Sequence, residues 1–303
     1  MTDPGALGEA GLPRGEGAGA GYGGHEAAGD GCGRHEGAGN RRGRHEGAGN
    51  DRGVHAADGG KSRSGWVAAR VMGDVVARFR EGAAELPGNV WRRWGATLAA
   101  GCVVAVGVAI GLVVAGRHLD GDGAFAWESD FLRALDASPL LSFSVGVWIQ
   151  TLGTDITLAI VSAFAAGVAA WDRRPLHAIS IVLAFVGSDL IVRFAWLLWD
   201  RPRPDLILDG AAAPGFASFP SGHAAESTAV YGILAFIWAR SSTSSAERVT
   251  AAGLAATAVL LVGLGRLRMG VHWPTDILAG ALLGLAWLAT LAIALSRAAR
   301  AAK

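Results

Sequence analysis

The sequence is poor in charged residues and in cysteine. Only 17% of its 303 residues are charged, the formal net charge is +1, and the two cysteines, Cys32 and Cys102, lie far apart. A nearly neutral chain without a stripe of Lys and Arg does not have the charge pattern of a nucleic-acid binder. Two isolated cysteines indicate neither a disulfide framework nor a metal cluster. We therefore expect no nucleic-acid partner and no site built on cysteine.

The residues that are abundant fall into two unlike parts of the chain. Apolar residues make up 51% of the sequence, 11 residues are Trp, and 20 of the 45 glycines lie within the first 60 positions. A polar, glycine-rich head therefore precedes a very apolar body. This composition is typical of a membrane protein with a separate N-terminal tail.

The head contains a ten-residue repeat that places His25, His35, His45 and His55 at constant spacing. Neither a helix nor a strand can bury side chains with this pattern, so we interpret residues 1–63 as a disordered low-complexity tail. The alternative is a weak metal-binding tract, because imidazoles bind zinc, nickel and copper. Ten-residue gaps in a glycine-rich chain pre-organise no coordination geometry, which favours the first interpretation.

Helical spacing begins after the tail, in residues 66–81. Val67, Val71 and Val75 fall on one helix face, and Arg70 and Arg78 fall on the opposite face. Basic amphipathic helices of this kind lie on membrane surfaces. We expect residues 64–95 to form a cytoplasmic amphipathic juxtamembrane segment.

Six apolar runs follow, each close to the length of about 20 residues that crosses a bilayer. The shorter apolar stretch 139–150 is interpreted as an interfacial lead-in to the second run. The prediction for residues 96–303 is an all-α fold, a bundle of six transmembrane helices. The predicted spans are residues 97–116, 152–170, 176–199, 224–240, 249–265 and 276–296.

The distribution of arginine predicts how the bundle is oriented. Basic residues concentrate on one side, whereas the first loop on the other side is acidic. We therefore expect a multi-pass protein of the plasma membrane with both termini in the cytoplasm. The arginines that break this rule on the outer side need a local, chemical reason; they are Arg201, Arg203, Arg266 and Arg268.

The predicted topology brings three polar segments together on the outer face. The first follows the third span and contains Arg203, and the second begins the fourth span and contains His223. The third joins the fifth and sixth spans and contains Arg266, His272 and Asp276. Two imidazoles, a carboxylate and several guanidinium groups are thus expected at one membrane level.

These residue types together indicate phosphoryl transfer. His272 and Asp276 are four residues apart at a helix start, so Asp276 can hold one ring nitrogen and leave the other as a nucleophile. His223 is suited to protonating a leaving alkoxide. The guanidinium groups of Arg203 and Arg266 can bind phosphate oxygens in bidentate fashion.

The start of the fourth span adds a site for an anion. Ser221 and Gly222 lie where unpaired backbone N–H groups and the helix dipole favour negative charge. No carboxylate cluster is present in the sequence to hold magnesium. We therefore predict a metal-independent reaction through a phosphohistidine, without a cofactor.

The three segments resemble the signature motifs of the type 2 phosphatidic acid phosphatase superfamily, membrane lipid phosphatases related to vanadium haloperoxidases. The family pattern is Lys-x6-Arg-Pro, then Pro-Ser-Gly-His, then Ser-Arg-x5-His-x3-Asp. The matching residues are Arg203 and Pro204 in the first motif, Pro220 to His223 in the second, and Arg266, His272 and Asp276 in the third. The resemblance spans about residues 97–296 and includes the six-helix layout.

The resemblance implies a role for each matching residue. His272 is the expected nucleophile, Asp276 its orienting partner and His223 the general acid. The residues expected to bind the phosphate are Arg203, Arg266, Ser221 and Gly222.

Two positions depart from the family pattern. Trp196 stands where the first motif has Lys, and Gly265 stands where the third motif has Ser. The missing Lys removes one phosphate contact, and the candidates to replace it are Arg201 and Arg193.

The resulting hypothesis is a membrane enzyme that hydrolyses a lipid phosphate or diphosphate at the outer leaflet. Substrates of the undecaprenyl diphosphate, phosphatidylglycerophosphate and phosphatidate types stay open, and so does a homodimer. One alternative is a phosphotransferase that uses the same site with an alcohol acceptor. The other is a non-catalytic lipid-binding protein that keeps a degenerate site.

Overall fold

The structure is a computed structural model that describes residues 63–139, 141–205 and 217–302; the repeat-containing tail lies outside these residues. All regular elements in the described residues are helices, which confirms the all-α prediction. A 3₁₀ turn, Thr151–Gly153, links the fourth and fifth helices. The helices are α1 (Arg63–Glu85), α2 (Gly88–Gly121), α3 (Trp127–Asp136), α4 (Phe143–Gln150), α5 (Asp155–Trp171), α6 (Pro175–Leu198), α7 (Gly222–Ser241), α8 (Ser245–Arg268) and α9 (Pro274–Ala301).

Five segments of the described chain are long and apolar enough to cross a membrane. Four of them are the single helices α2, α6, α8 and α9. The fifth is the stretch Phe143–Trp171, which consists of α4 and α5 together. The stretch 139–150 therefore contributes a helix of its own to the second span. The protein is accordingly a multi-pass membrane protein, while the count of six spans stays a prediction.

The segment that lacks this apolarity is α7, which corresponds to the predicted fourth span. Its N-terminal half carries polar residues such as His223, Glu226 and Ser227. The helix packs against α6, α8 and α9, and most of that half is buried. Because neighbouring helices cover it, its polar groups face protein instead of lipid, which is the arrangement that polar side chains in a membrane require.

Close contact between α7 and α9 brings two helix starts together. A side chain at Gly280 would collide with the backbone carbonyl oxygen of Ser221. In addition, the backbone N–H of Ser221 donates a hydrogen bond to the carbonyl oxygen of Asp276 at 3.0 Å. The N-terminus of α7 is thereby held beside the first turn of α9.

The acidic first loop contains a short helix, α3, that is fastened at both ends. Glu128 in its first turn lies 2.6 Å from Arg201, and Asp136 at its end lies 2.7 Å from Arg268. Leu132, between them, is fully buried. Helix α3 is therefore docked against the bundle on the side where the polar segments meet.

The amphipathic segment that begins at residue 66 is helical, as part of α1. Val75 and Phe79 pack on the core, and Arg173 binds Glu81 at 2.8 Å. The side chains of Trp66 and Val67 are exposed instead. The cytoplasmic, juxtamembrane location of this segment stays a prediction.

Candidate active site

The three polar segments meet around one cavity of about 170 Å³. The cavity lies among the start of α7, the end of α6 and the turn between α8 and α9. Its lining residues are Asp155, Asp189, Arg193, Trp196, Arg203, Gly222, His223, Glu226, Arg266 and His272.

A glycine turn places His272 in this cavity. Helix α8 ends at Arg268, and Gly270 adopts a φ of 66°, a left-handed conformation that favours glycine. The chain then returns to the bundle, and His272 becomes almost completely buried. Its Nδ1 atom lies 3.4 Å from Oδ2 of Asp276, and its Nε2 atom lies 3.2 Å from Nη1 of Arg203.

These neighbours determine which ring nitrogen of His272 carries the proton. A guanidinium group can only donate hydrogen bonds, so Nε2 accepts from Arg203 and the proton resides on Nδ1, facing Asp276. Burial lowers the pKa of His272 from 6.5 to about 4, although Asp276 acts in the opposite direction. The ring is therefore neutral near pH 7, with an unprotonated nitrogen available for nucleophilic attack.

Asp276 is held by donors from several parts of the chain. Its Oδ2 atom accepts hydrogen bonds from Oγ of Ser218 at 2.5 Å and from the backbone N–H of Trp273 at 2.8 Å. Its Oδ1 atom accepts a hydrogen bond from Nη1 of Arg201 at 2.6 Å. The carboxylate is completely buried, and these bonds leave it a single orientation toward His272.

Two buried donors at the cavity have no hydrogen-bond partner among the described residues. One is the hydroxyl of Ser221, which occupies the N-cap position of α7, and the other is Nε of Arg266. Nη1 of Arg266 donates to Gln150 at 3.2 Å, which holds the guanidinium in place. Unpaired buried donors beside a helix N-terminus are suited to an anion such as phosphate.

Arg203 lies on the other side of the His272 ring. Its guanidinium donates to the carbonyl oxygens of Val271 at 2.7 Å and Ala217 at 3.3 Å. Burial lowers the pKa of Arg203, and Asp276 opposes that effect. An arginine keeps its charge under such conditions, so Arg203 adds a fixed positive charge next to Nε2 of His272.

The two candidates to replace the family Lys have different environments. Arg193 lines the cavity, where its Nε atom lies 2.8 Å from both carboxylate oxygens of Asp189. Arg201 does not line the cavity, because Glu128 and Asp276 hold its guanidinium behind the His–Asp pair. This placement argues against Arg201 as a phosphate ligand.

The structure also explains both departures from the family pattern. Nε1 of Trp196 donates to the carbonyl oxygen of Pro220 at 3.0 Å, so the indole supports the segment that leads into α7. A Cβ atom at Gly265 would lie 2.7 Å from the carbonyl oxygen of Gly146 on α4. Serine therefore does not fit at Gly265 without moving α4 away from α8.

The sequence did not indicate three residues that surround the His–Asp pair. Ser218 and Thr275 lie next to the motifs, but nothing in their spacing marks them as functional. Glu128 is one of several carboxylates in the acidic loop, and its sequence context does not distinguish it from the others.

Known proteins resemble this chain in sequence and in fold. Residues 177–300 match the family model of the PAP2 superfamily. Phosphatidylglycerophosphatase B of Bacillus subtilis (strain 168) is 28% identical over 148 residues, an alignment that covers 46% of this chain and 71% of that protein. The crystal structure of a transmembrane PAP2-type phosphatidylglycerolphosphate phosphatase from Bacillus subtilis is similar at a TM-score of 0.52 and 23% identity, covering 62% of this chain and 93% of the other. The last similarity supports the fold.

Proposed function

We propose that this membrane protein of the PAP2 superfamily is a phosphatase that removes a terminal phosphate from a lipid. The observation that carries the proposal is the neutral, buried His272 held by Asp276 at the edge of a cavity with unpaired anion-binding donors. Such an arrangement combines a nucleophile, its orienting carboxylate and a preformed site for phosphate.

The reaction runs in two steps through a phosphohistidine. Nε2 of His272 attacks phosphorus while the bond to the leaving alkoxide oxygen breaks, and His223, which binds a proton together with the anionic substrate, transfers that proton to the oxygen. His223, now neutral, takes a proton from water, and the water oxygen attacks phosphorus. The N–P bond breaks, inorganic phosphate leaves, and both histidines return to their initial state.

Fixed positive groups stabilise the transferred phosphoryl group. Arg203 and Arg266 face it from two sides, and the hydroxyl of Ser221 and the N–H of Gly222 donate from the start of α7. Such preorganised donors are each worth about 3 kcal/mol of barrier in comparable sites. Since these groups stabilise the negative charge of the phosphate, we propose that the reaction is independent of metal ions.

The substrate type that we favour is phosphatidylglycerophosphate. The relative from Bacillus subtilis is named for that activity. The charge of the cavity supports the same choice, because the carboxylates of Asp155 and Asp189 line it together with the arginines. A diphosphate would bring a second, strongly charged phosphate near these carboxylates, whereas a hydroxylated head group would be tolerated.

We further propose that the site faces outward and that both termini are cytoplasmic. The far end of the long helix α9 carries Arg297 and Arg300, which form one cleft together with Arg93 at the start of α2. Such a concentration of arginine is expected on the cytoplasmic side. The cavity lies beside the opposite end of α9, and therefore at the outer leaflet.

The decisive experiment measures phosphate release by the detergent-purified protein in the presence of EDTA. The substrates are phosphatidylglycerophosphate, phosphatidate and a polyprenyl diphosphate, and we expect release to be fastest from the first. His272→Ala should abolish release, because it removes the nucleophile. The matched control is His118→Ala, which changes an exposed histidine on α2 and should leave release intact.

Two results would contradict the proposal. Release that persists in His272→Ala would exclude the phosphohistidine mechanism. No release by folded wild-type protein from any of the three lipids would favour transfer to an alcohol or a non-catalytic site, and adding glycerol as an acceptor distinguishes these two.

A further inference from the structure

The described structure connects the outer helix α3 to the His–Asp pair through Arg201. Nη2 of Arg201 donates to Oε2 of Glu128 at 2.6 Å, and Nη1 donates to Oδ1 of Asp276 at 2.6 Å. We propose that Glu128 is a positioning residue of this active site, which acts through Arg201 on Asp276 and His272. This inference rests on the function proposed above.

Glu128 lies in α3 and is buried beside the His–Asp pair, not exposed on the surface of a loop. Only 1% of its surface is exposed, and both carboxylate oxygens are occupied. In addition to its bond with Arg201, Oε1 accepts hydrogen bonds from the backbone N–H of Thr275 at 2.8 Å and from the Thr275 hydroxyl at 2.7 Å. Thr275 directly precedes Asp276, so Glu128 holds the first turn of α9 as well as the arginine.

Arg201 is equally enclosed. Its exposed fraction is 4%, and the rings of Phe125, Trp199 and Trp273 lie 5.0, 5.6 and 5.5 Å from its guanidinium carbon. The hydroxyl of Thr275 accepts a further hydrogen bond from Nη1 at 2.9 Å. A buried guanidinium between two buried carboxylates has little freedom to change partners.

The charges explain why Glu128 influences the nucleophile. If Arg201 faced Asp276 alone, its positive charge would cancel most of the negative potential that Asp276 exerts on His272. Glu128 balances the guanidinium from the far side, so Asp276 retains its negative charge toward the imidazole. This potential stabilises the positive charge that develops on the ring when Nε2 bonds to phosphorus.

Other charged groups near this chain of contacts do not replace Glu128. Asp120 lies 3.7 Å from Nη2 of Arg201, but it is half exposed and therefore screened by water. Among the described residues, the remaining charged or titratable groups around the His272 ring are Arg203, Arg266 and His223, which disfavour a positive imidazole. Asp276 is thus the main support for that charge, and Glu128 preserves its effect.

The test uses Glu128→Gln, which keeps the size of the side chain and removes its charge. With dioctanoyl phosphatidate as the probe, we expect kcat to fall by at least about tenfold while KM changes by less than about twofold, because the nucleophile and not phosphate binding is affected. The acid limb of the pH profile should move to lower pH, since His272 becomes less basic. The probe is the same for both proteins, so its own ionisation cancels in the comparison.

The matched control is Asp136→Asn on the same helix. Asp136 also fastens α3 to an arginine, Arg268, but it does not touch the His–Asp pair. A purely structural role of the ion pairs predicts equal effects in both variants, whereas positioning predicts a loss of kcat in Glu128→Gln only. An unchanged kcat and pH profile in Glu128→Gln, or the same loss in Asp136→Asn, would overturn the proposal.

Two additions keep the test decisive. If Glu128→Gln does not fold, Glu128→Asp keeps the charge but withdraws it by one methylene, and wild-type kcat in that variant would count against the proposal. The second addition is ¹⁵N NMR of the imidazole, assigned with His272→Ala, which needs no turnover. We expect the proton of the neutral His272 ring to stay on Nδ1 in both proteins, because Arg203 is unchanged, and the imidazole to titrate at a lower pH in Glu128→Gln than in the wild type. Unchanged spectra overturn the positioning role, whereas altered spectra without wild-type turnover overturn only the proposed phosphatase.

Discussion

Asp276 keeps its charge inside the helical bundle because several hydrogen-bond donors contact its carboxylate. Removing one partner from such a buried ionic group typically costs about 3–5 kcal/mol, because the remaining charge loses its compensation. Here the donors are Ser218 and Arg201 from the connection between α6 and α7, and Trp273 from the turn between α8 and α9. The position of the His–Asp pair therefore depends on both of these connections at the same time.

Acidification tests the burial of His272. Because burial lowers its pKa from 6.5 to about 4, the unfolded chain binds a proton at higher pH than the folded protein does. This contribution to stability is fully present above about pH 6.5 and is lost as the pH falls toward about 4. We expect the Tm of wild-type protein in detergent to fall more steeply between pH 7 and pH 5 than that of His272→Gln. Parallel curves would contradict the neutral, buried state of this ring.

At the level of helices, α7 lies in the membrane bundle although it is too polar to meet a sequence criterion for a membrane span. Its N-terminal half carries the polar residues that line the cavity. These residues are tolerated because α6, α8 and α9 cover them. A helix of this type is less apolar than a lipid-exposed span because its environment is protein.

The contact between α4 and α8 provides a prediction about Gly265. Gly265→Ser restores the residue of the family pattern, but its Cβ would lie 2.7 Å from the carbonyl oxygen of Gly146. We expect this variant to lose about 1–3 kcal/mol of stability because α4 must shift. The shift would also disturb Gln150, which holds Arg266, so activity should decrease.

Thermal unfolding in detergent and specific activity check this prediction. The control is Gly253→Ser on the same helix, where an added Cβ has nothing within 4 Å. That variant should have a Tm equal to or slightly above the wild type, since serine is a better helix former than glycine. Equal behaviour of the two variants would refute the steric explanation.

Over the whole molecule, the outer arginines that break the charge rule divide into two pairs. Arg201 and Arg268 bind carboxylates of α3, whereas Arg203 and Arg266 line the cavity. Only the second pair lies where the sequence analysis expects arginines that bind phosphate, and that role stays a prediction. The first pair fastens the acidic helix α3 to the bundle.

The N-terminal tail is predicted to be dispensable for catalysis. All residues of the described site lie between Glu128 and Asp276, so deleting residues 1–60 should leave kcat/KM within about twofold of the full chain. The measurement is phosphate release per folded molecule by the two purified proteins. A severalfold loss in the shortened chain would show that the tail contributes to the reaction.

The sequence by itself determined the helical body, five of the apolar segments and the three motifs that line one cavity. These features depend on local patterns: apolar runs of membrane length, and short motifs whose residues share a turn or a helix start. The tertiary structure decided the partners of Arg201, the docking of α3 and the reason for Gly265. These depend on which surfaces meet across long stretches of chain, as Glu128 and Thr275 do, and no local spacing records such contacts.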